Sequence, residues 1–281
     1  MLMQRVATAL ILVAILAALL FAAPPAWFDA ALLVAVAAAA WEWGRMNTPI
    51  VLLQWACVPL TLLLCVLLLA VGDDATLPLW ALAALLWLLG ASAALRAGVA
   101  GWPRVPMILR VLAGPVLLAL GWLAAVHWRA AGINALLSVL VLVWAADTGA
   151  YAAGRRWGRH KLAPAISPGK TWEGVAGGFC LAAAVAILWF WLDTRLAVDS
   201  ASIYTRLHAL GAWGLAVAVA LLVGVSVAGD LFESLVKRSA GVKDSSALLP
   251  GHGGVLDRID ALLPVLPMAW LLVQLAQTGG A

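Results

Sequence analysis

Eight ionisable side chains crowd into the 27 residues from Ser234 to Asp260, SLVKRSAGVKDSSALLPGHGGVLDRID: Lys237, Arg238, Lys243, Asp244, His252, Asp257, Arg258 and Asp260. Only 11% of the chain is charged and 65% is apolar, so such a concentration between two hydrophobic segments calls for a chemical reason. Basic side chains suit polyphosphate, and carboxylates three residues apart suit a divalent cation that bridges the phosphate. These residue types point to a membrane enzyme acting on a phosphorylated substrate.

Other carboxylates extend the pattern. Asp147 interrupts the apolar run VLVWAADTGAYAAG. A carboxylate there is costly unless it faces a polar cavity, a metal or a cation, although a structural hydrogen bond between helices would also account for it. Asp230 falls at the end of an apolar run, with Glu233 three residues on and on the same helix face. Asp257 and Asp260 repeat that spacing at the start of the next run. Capping is the plain explanation of Asp257 at a helix N-terminus, where the dipole favours an anion, but it does not explain Asp230 at a C-terminus. A divalent ion shared between the two helix ends explains both. The expected metal ligands are therefore Asp230 and Asp257, with Asp260 a weaker member. Hard oxygen donors favour Mg²⁺, with Mn²⁺ as a substitute.

Two loop motifs add anion chemistry. Gly251, Gly253 and Gly254 surround His252 in PGHGG, a run that permits a tight turn with exposed N–H groups. His252 itself suits a phosphate donor, a general acid or a loop fastener. The run Ser167-Pro168-Gly169-Lys170-Thr171 is like a Walker A loop only at its end, because Pro164 stands where the earlier glycine belongs. Lys170 still suits phosphate as a point charge, with Ser167 and Thr171 as hydroxyl donors. Lys161, Arg155, Arg156 and Arg159 read as anchors at the lipid headgroups.

The elements that must position these groups are membrane helices. Mean hydropathy is +1.06 over 281 residues, and continuous apolar runs of 18 or more residues recur. Alternation, the mark of a β-barrel, is absent. The expected fold is an all-α polytopic membrane protein with nine spans, at roughly 6–23, 26–42, 50–71, 76–95, 107–128, 133–153, 174–192, 211–230 and 258–275. The first run resembles a signal peptide, but Pro24, Pro25 and Trp27 follow directly, and an uncleaved first span is expected. With the N-terminus inside, 14 of the 17 Lys and Arg fall on one side. That bias predicts a cytoplasmic N-terminus and an external C-terminus. The basic face, part of a net charge of +4, then meets anionic lipid. The organisation expected is an N-terminal set of helices over 1–130 and a catalytic region over 131–281, with cytoplasmic polar loops at 154–173 and 231–257. The external segment 193–210 looks unremarkable. Gly174, Gly177 and Gly178 allow close helix packing. Cys57, Cys65 and Cys180 lie in apolar runs and read as small core residues.

The Ser234–Asp260 block resembles the motif of the phosphatidate cytidylyltransferases (CDP-diacylglycerol synthases). The likeness covers Ser234, Val236, Lys237, Arg238, Lys243, Asp244, Ser246, Leu249, Pro250, His252, Gly253, Gly254, Val255, Asp257, Arg258, Ile259 and Asp260. A second block, from Asp147 to Tyr151 and from Ser167 through Lys170, Thr171, Glu173 and Gly174, is similar to that family too. Gly169 departs from the basic residue often found there. The resemblance is strong over about residues 140–265, and the first 130 residues match only as generic spans. It implies that CTP and phosphatidic acid give CDP-diacylglycerol and pyrophosphate with Mg²⁺, at the cytoplasmic face of a bacterial inner membrane, in a homodimer and without a nucleic-acid partner. Asp147 and Asp260 would complete or orient the metal site of Asp230 and Asp257. Lys170, Lys237, Arg238 and Lys243 would hold the phosphates, with Ser167, Thr171, Gly253 and Gly254 also contacting substrate. Asp244, His252 and Arg258 are further candidate catalytic residues. A cation- or proton-coupled transporter using Asp147 and Asp230, and another CTP-dependent lipid kinase or cytidylyltransferase, are the alternatives.

Overall fold

A long apolar run in a bilayer has no water to satisfy its backbone, so it closes its own hydrogen bonds as a helix. The computed structural model describes residues 2–70 and 76–278, and the elements follow that rule. They are α1 (Leu2–Phe21), α2 (Pro25–Asn47), α3 (Val51–Leu69), α4 (Thr76–Leu85), α5 (Ser92–Ala97), α6 (Met107–Ala131), α7 (Ile133–Trp157), α8 (Trp172–Asp193), α9 (Ile203–Leu207), α10 (Gly211–Ser239), α11 (Leu256–Ile259) and α12 (Leu262–Thr278). A π-helical turn, Leu86–Ala91, joins α4 to α5 without a break. Each of the nine expected spans has a helix. Among the described residues eight helices are long and apolar enough to cross a membrane, and a ninth apolar stretch, Val6–Phe21, is shorter. The protein is an all-α polytopic membrane protein. Val71, the last residue of the third expected span, and the terminal residues Met1 and Ala281 lie outside the described residues.

The helices form two groups. One contains α2, α3 and α6; the other is built on α7 and α8, the most extensive helix pair. Helices α10 and α12 lie between them, α10 against α8 and α12 against α6 and α4. The α7–α8 pair depends on small residues, as the glycine spacing predicts. A Cβ on Gly149 would lie 2.5 Å from the Gly177 carbonyl oxygen, and one on Gly178 would lie 2.6 Å from that of Ala146. Such contact lets the two backbones touch and brings Asp147 close to the start of α8.

Several expectations change. Helix α10 runs on to Ser239, so Asp230 is inside a helix and not at its C-terminus, and residues 231–239 are helical and not part of a loop. At 1.5 Å per residue the helix is about 43 Å long, well beyond the ~30 Å of a hydrocarbon core. Its surplus length can carry Glu233, Lys237 and Arg238 out of the apolar layer. The loop 154–173 contains a hairpin of β1 (Lys161–Ala163) and β2 (Ser167–Thr171), paired antiparallel with Lys161 opposite Thr171. Cys57 and Cys65 are buried as expected, but Cys180 is exposed.

The segment 193–210 is more structured than its sequence suggests. Ile203, Tyr204 and Leu207 of α9 are fully buried. Asp199 accepts from the first two N–H groups of α7, Ile133 at 2.5 Å and Asn134 at 2.9 Å. Asp193 accepts from the side chain of Asn134 and from Thr205 Oγ1. Replacing Asp199 with Ala leaves those helix-end donors unpaired and should lower stability by about 1–2 kcal/mol. Denaturation in detergent measures it, and ligand binding per folded molecule should not change, because this is the end of α7 away from the cavity described next.

Candidate functional site

The β1–β2 hairpin folds over the junction of α7, α8 and α10. Thr171 ends β2 and caps α8, its Oγ1 accepting from Gly174 N at 3.1 Å. Glu173 in the first turn of α8 accepts from the N–H groups of Arg159 and His160 and meets His160 Nδ1 at 2.6 Å, which fastens the chain leaving α7. These ties fix Lys170 on β2 so that its Nζ reaches Asp230 Oδ2 of α10 at 2.7 Å. Ser234 Oγ donates to the other Asp230 oxygen at 3.3 Å.

Beneath the hairpin is a cavity of about 440 Å³. Asp147, Arg155, Ser167, Lys170, Thr171 and Asp230 supply its polar lining, and Val175, Val223 and Val227 are among its apolar walls. Arg155, expected among the headgroup anchors, is exposed and also lines the cavity, its guanidinium donating to Tyr151 at 2.7 Å. Its lining combines charged and apolar side chains, so the cavity can accept an anionic group attached to an apolar one.

A second cluster lies further along α10. Lys237 Nζ pairs with Glu233 one turn back and with Asp257 Oδ1 at 2.5 Å. Only 9% of Lys237 and 3% of Glu233 is exposed. The other Asp257 oxygen accepts from Ser245 N at 3.0 Å and Gly254 N at 2.8 Å, and lies 2.9 Å from Ser245 Oγ. Asp257 is thus the hub of the loop between α10 and α11. That loop turns tightly at Leu249–Gly253, where Leu249 N donates to Gly253 O and His252 N to Leu249 O. Gly251 and Gly253 adopt φ of +76° and +84°, a conformation that favours glycine. The loop encloses its own cavity of about 640 Å³, lined by Lys243, Asp244, His252, Gly253 and Arg258 among others.

The expected site residues therefore separate into two neighbouring sets. Asp147, Ser167, Lys170, Thr171 and Asp230 share the hairpin cavity. Lys243, Asp244, His252, Gly253 and Arg258 share the loop cavity. Lys237 and Asp257 pair with each other, and the Gly254 N–H is committed to Asp257 instead of facing outward as an anion nest. Arg238 turns to main-chain carbonyls, those of Ile166 in the hairpin and Val242, each at 3.4 Å. Asp260 accepts from Ala261 N at 2.8 Å. The expected ligands Asp230, Asp257 and Asp260 do not converge as a set, and among the described residues no three His, Cys, Asp or Glu side chains are gathered to hold a metal ion. Sequence reasoning passes over Glu42 of α2, which reaches this loop from the other half of the chain. Its place between two tryptophans in an apolar run is the same anomaly that marks Asp147.

Fold and site define a helical membrane protein with two charged cavities, one of them also lined by apolar helix residues. Comparison with known sequences agrees. The cytidylyltransferase family matches residues 3–276, and the chain belongs to it. It is 40% identical to the phosphatidate cytidylyltransferase of Pseudomonas aeruginosa over 292 aligned positions, 99% of each chain. It is 48% identical to the phosphatidate cytidylyltransferase of Haemophilus influenzae over 136 residues, 48% of this chain and 44% of that one. With the protein of the same name from Staphylococcus saprophyticus it shares 38% over 155 residues, 55% of this chain and 54% of that one.

Lys237 compensates two buried carboxylates, and removing one partner of a buried pair leaves a charge in low dielectric. Lys237→Met should destabilise the protein by about 3–5 kcal/mol. Chemical denaturation in detergent, followed by tryptophan fluorescence, reads this directly; a loss under 1 kcal/mol would mean that the carboxylates find other partners.

Proposed function

We propose that the protein transfers the cytidylyl group of CTP to the phosphate of phosphatidic acid, giving CDP-diacylglycerol and pyrophosphate. The observation that carries this reading is the hairpin cavity, where Lys170, Arg155 and hydroxyl donors share the lining with apolar helix residues. Those surfaces suit a phosphate with acyl chains attached. The full-length likeness to a protein named phosphatidate cytidylyltransferase supports the same substrates. The loop cavity, built from polar loop residues around Lys243 and Arg258, suits the water-soluble nucleotide.

In the reaction an oxygen of the lipid phosphate forms a bond to the α-phosphorus of CTP, and the bond from that phosphorus to the bridging oxygen of pyrophosphate breaks. The attacking phosphate is already anionic, so no general base is required. Positioning and charge stabilisation supply the rate. Lys170 holds phosphate oxygens, and the hydroxyls of Ser167 and Thr171 orient them. Lys243 and Arg258 meet the charge of the triphosphate, while Arg238 keeps the hairpin against α10. His252 lines the nucleotide cavity.

Mg²⁺ belongs to the same proposal. The ion needs only one or two protein carboxylates beside phosphate oxygens and water. Asp147 and Asp230 line one cavity and meet that need, and Asp260 lies within electrostatic range of Asp230. Asp257, already held by Lys237, Ser245 and Gly254, joins a cation only by exchanging one of those partners. When bound, the ion would neutralise charge on the transferring phosphate. The bias of Lys and Arg to one side supports a site at the cytoplasmic face, and the bacterial relatives support an inner membrane. Assembly as a homodimer, which the resemblance implies, is part of the proposal.

The test uses purified protein in detergent micelles with phosphatidic acid and CTP labelled at either the α or the γ phosphorus. Label from the α position should enter lipid only when Mg²⁺ and phosphatidic acid are present. Label from the γ position should leave as pyrophosphate; its appearance in lipid would instead identify a lipid kinase. Asp230→Asn should lower kcat about 100-fold or more. Asp257→Asn, measured beside it, should also lose activity, and full activity in both variants would refute the assigned site.

A further inference from the structure

Glu42 lies in α2, more than 200 residues from the loop it contacts, and none of its surface is exposed. Its Oε1 accepts from Val255 N at 3.0 Å and Ser246 Oγ at 2.5 Å. Its Oε2 accepts from Leu256 N at 2.7 Å and lies 3.1 Å from Ser245 Oγ. The Ser245 hydroxyl sits between Glu42 and Asp257, and its single proton serves one of them at a time. Among the described residues no basic side chain forms an ion pair with Glu42. A buried carboxylate without a cation is unfavourable unless donors converge on it. Here every donor comes from Ser245 to Leu256, the chain that encloses the loop cavity and leads directly into Asp257 and Arg258.

The loop is shaped to admit this carboxylate. A Cβ on Gly254 would collide with Glu42 Oε1 and Ser245 Oγ, so glycine is required for the approach. Helix α1 adds a second tie from the same half of the chain, Thr8 Oγ1 donating to Pro250 O at 2.8 Å. The hydrogen bonds to Val255 and Leu256 fix the start of α11, and with it the direction in which Asp257 and Arg258 leave the backbone. Neither contact reaches the hairpin cavity.

We propose that Glu42 is a positioning residue for the transfer reaction: an acceptor-only clamp through which the second helix sets the geometry of the Lys243–Arg258 nucleotide loop. The proposal rests on the function given above for that loop. Glutamine has nearly the shape of glutamate but not its chemistry. Whichever way its amide turns, the NH₂ group faces a main-chain N–H, so one of the two backbone bonds is lost.

The experiment compares Glu42→Gln, Glu42→Asp and the native full-length chain in detergent, by steady-state kinetics with both substrates varied and by amide hydrogen exchange. Glu42→Gln should lower kcat/KM for CTP about 10–100-fold, the usual effect of misplacing reacting groups by an ångström or less. The KM for phosphatidic acid should stay unchanged. Exchange should quicken in residues 243–259 and stay native in α7 and α8. Glu42→Asp, which keeps two acceptor oxygens, should recover part of the loss. If Glu42→Gln does not fold, Ser246→Ala removes one donor and should show the same pattern at smaller size. Native kinetics in the glutamine variant, or a loss matched by faster exchange throughout the protein, overturns the proposal. If the native protein transfers nothing, the functional reading has failed on its own; local loosening of the loop would still establish the clamp, and native exchange would remove it.

Discussion

Lys237 stands between Glu233 and Asp257, and all three side chains are almost wholly withdrawn from solvent. A carboxylate in an apolar bundle must be met by a cation or by converging donors, because water is not there to do it. That requirement orders the rest of the polar structure. Asp257 takes Lys237 on one oxygen and the loop on the other, so α10 and the segment after it are held in register. Glu42 takes the same segment from the opposite side, bridged to Asp257 through Ser245. The polar contacts then run from α2 through the loop to α10, tying together helices that are far apart in sequence.

Helix α10 walls the hairpin cavity directly and, through the Lys237–Asp257 pair, holds the loop that encloses the other. Asp230, Glu233, Ser234 and Lys237 recur along it at spacings of three and four, which places them on one side. Phe232 faces elsewhere and packs against Trp43, Trp87 and Trp102. The aromatic packing fixes the rotation of the helix, and that rotation decides which carboxylates face the polar regions. Any movement of α10 would therefore disturb both cavities together. The hairpin depends on the same helix, through Lys170 on Asp230 and Arg238 on the Ile166 carbonyl.

Much of this was legible in the sequence, and what was not has a physical cause. Hydropathy finds each of the long apolar helices, because a bilayer-length apolar run has few other solutions, but it passes over the five-residue α9. It misplaces the end of α10, since polar residues in a helix that outruns the membrane look like a loop to a hydropathy window. Charge in an apolar context marks Asp147 and Asp230, and the Ser167–Thr171 motif marks Lys170; the three do share a cavity. Spacing along the chain does not show that Asp257 belongs to the loop cluster or that Arg238 serves the hairpin. Those placements are set by contacts between distant segments. Glu42 is the clearest case, its partners being more than 200 residues away.

The resting site is nearly self-neutralised, and this bears on how it would treat a polyanion. On the proposed reading, a phosphate entering the hairpin cavity competes with Asp230 for Lys170. The lysine is held by β2 and needs little reorientation to change partners. A charge that is already aimed and partly withdrawn from water needs less reorganisation at the moment of reaction, the main advantage of a preorganised site over solution. The released carboxylate would in turn be left beside Asp147, two anions in one cavity, an arrangement that requires a cation. Substrate phosphate and a divalent ion would then enter as a compensated pair, each making room for the other. On that reading the exchange would account for lysine–carboxylate pairs where the sequence suggests a metal.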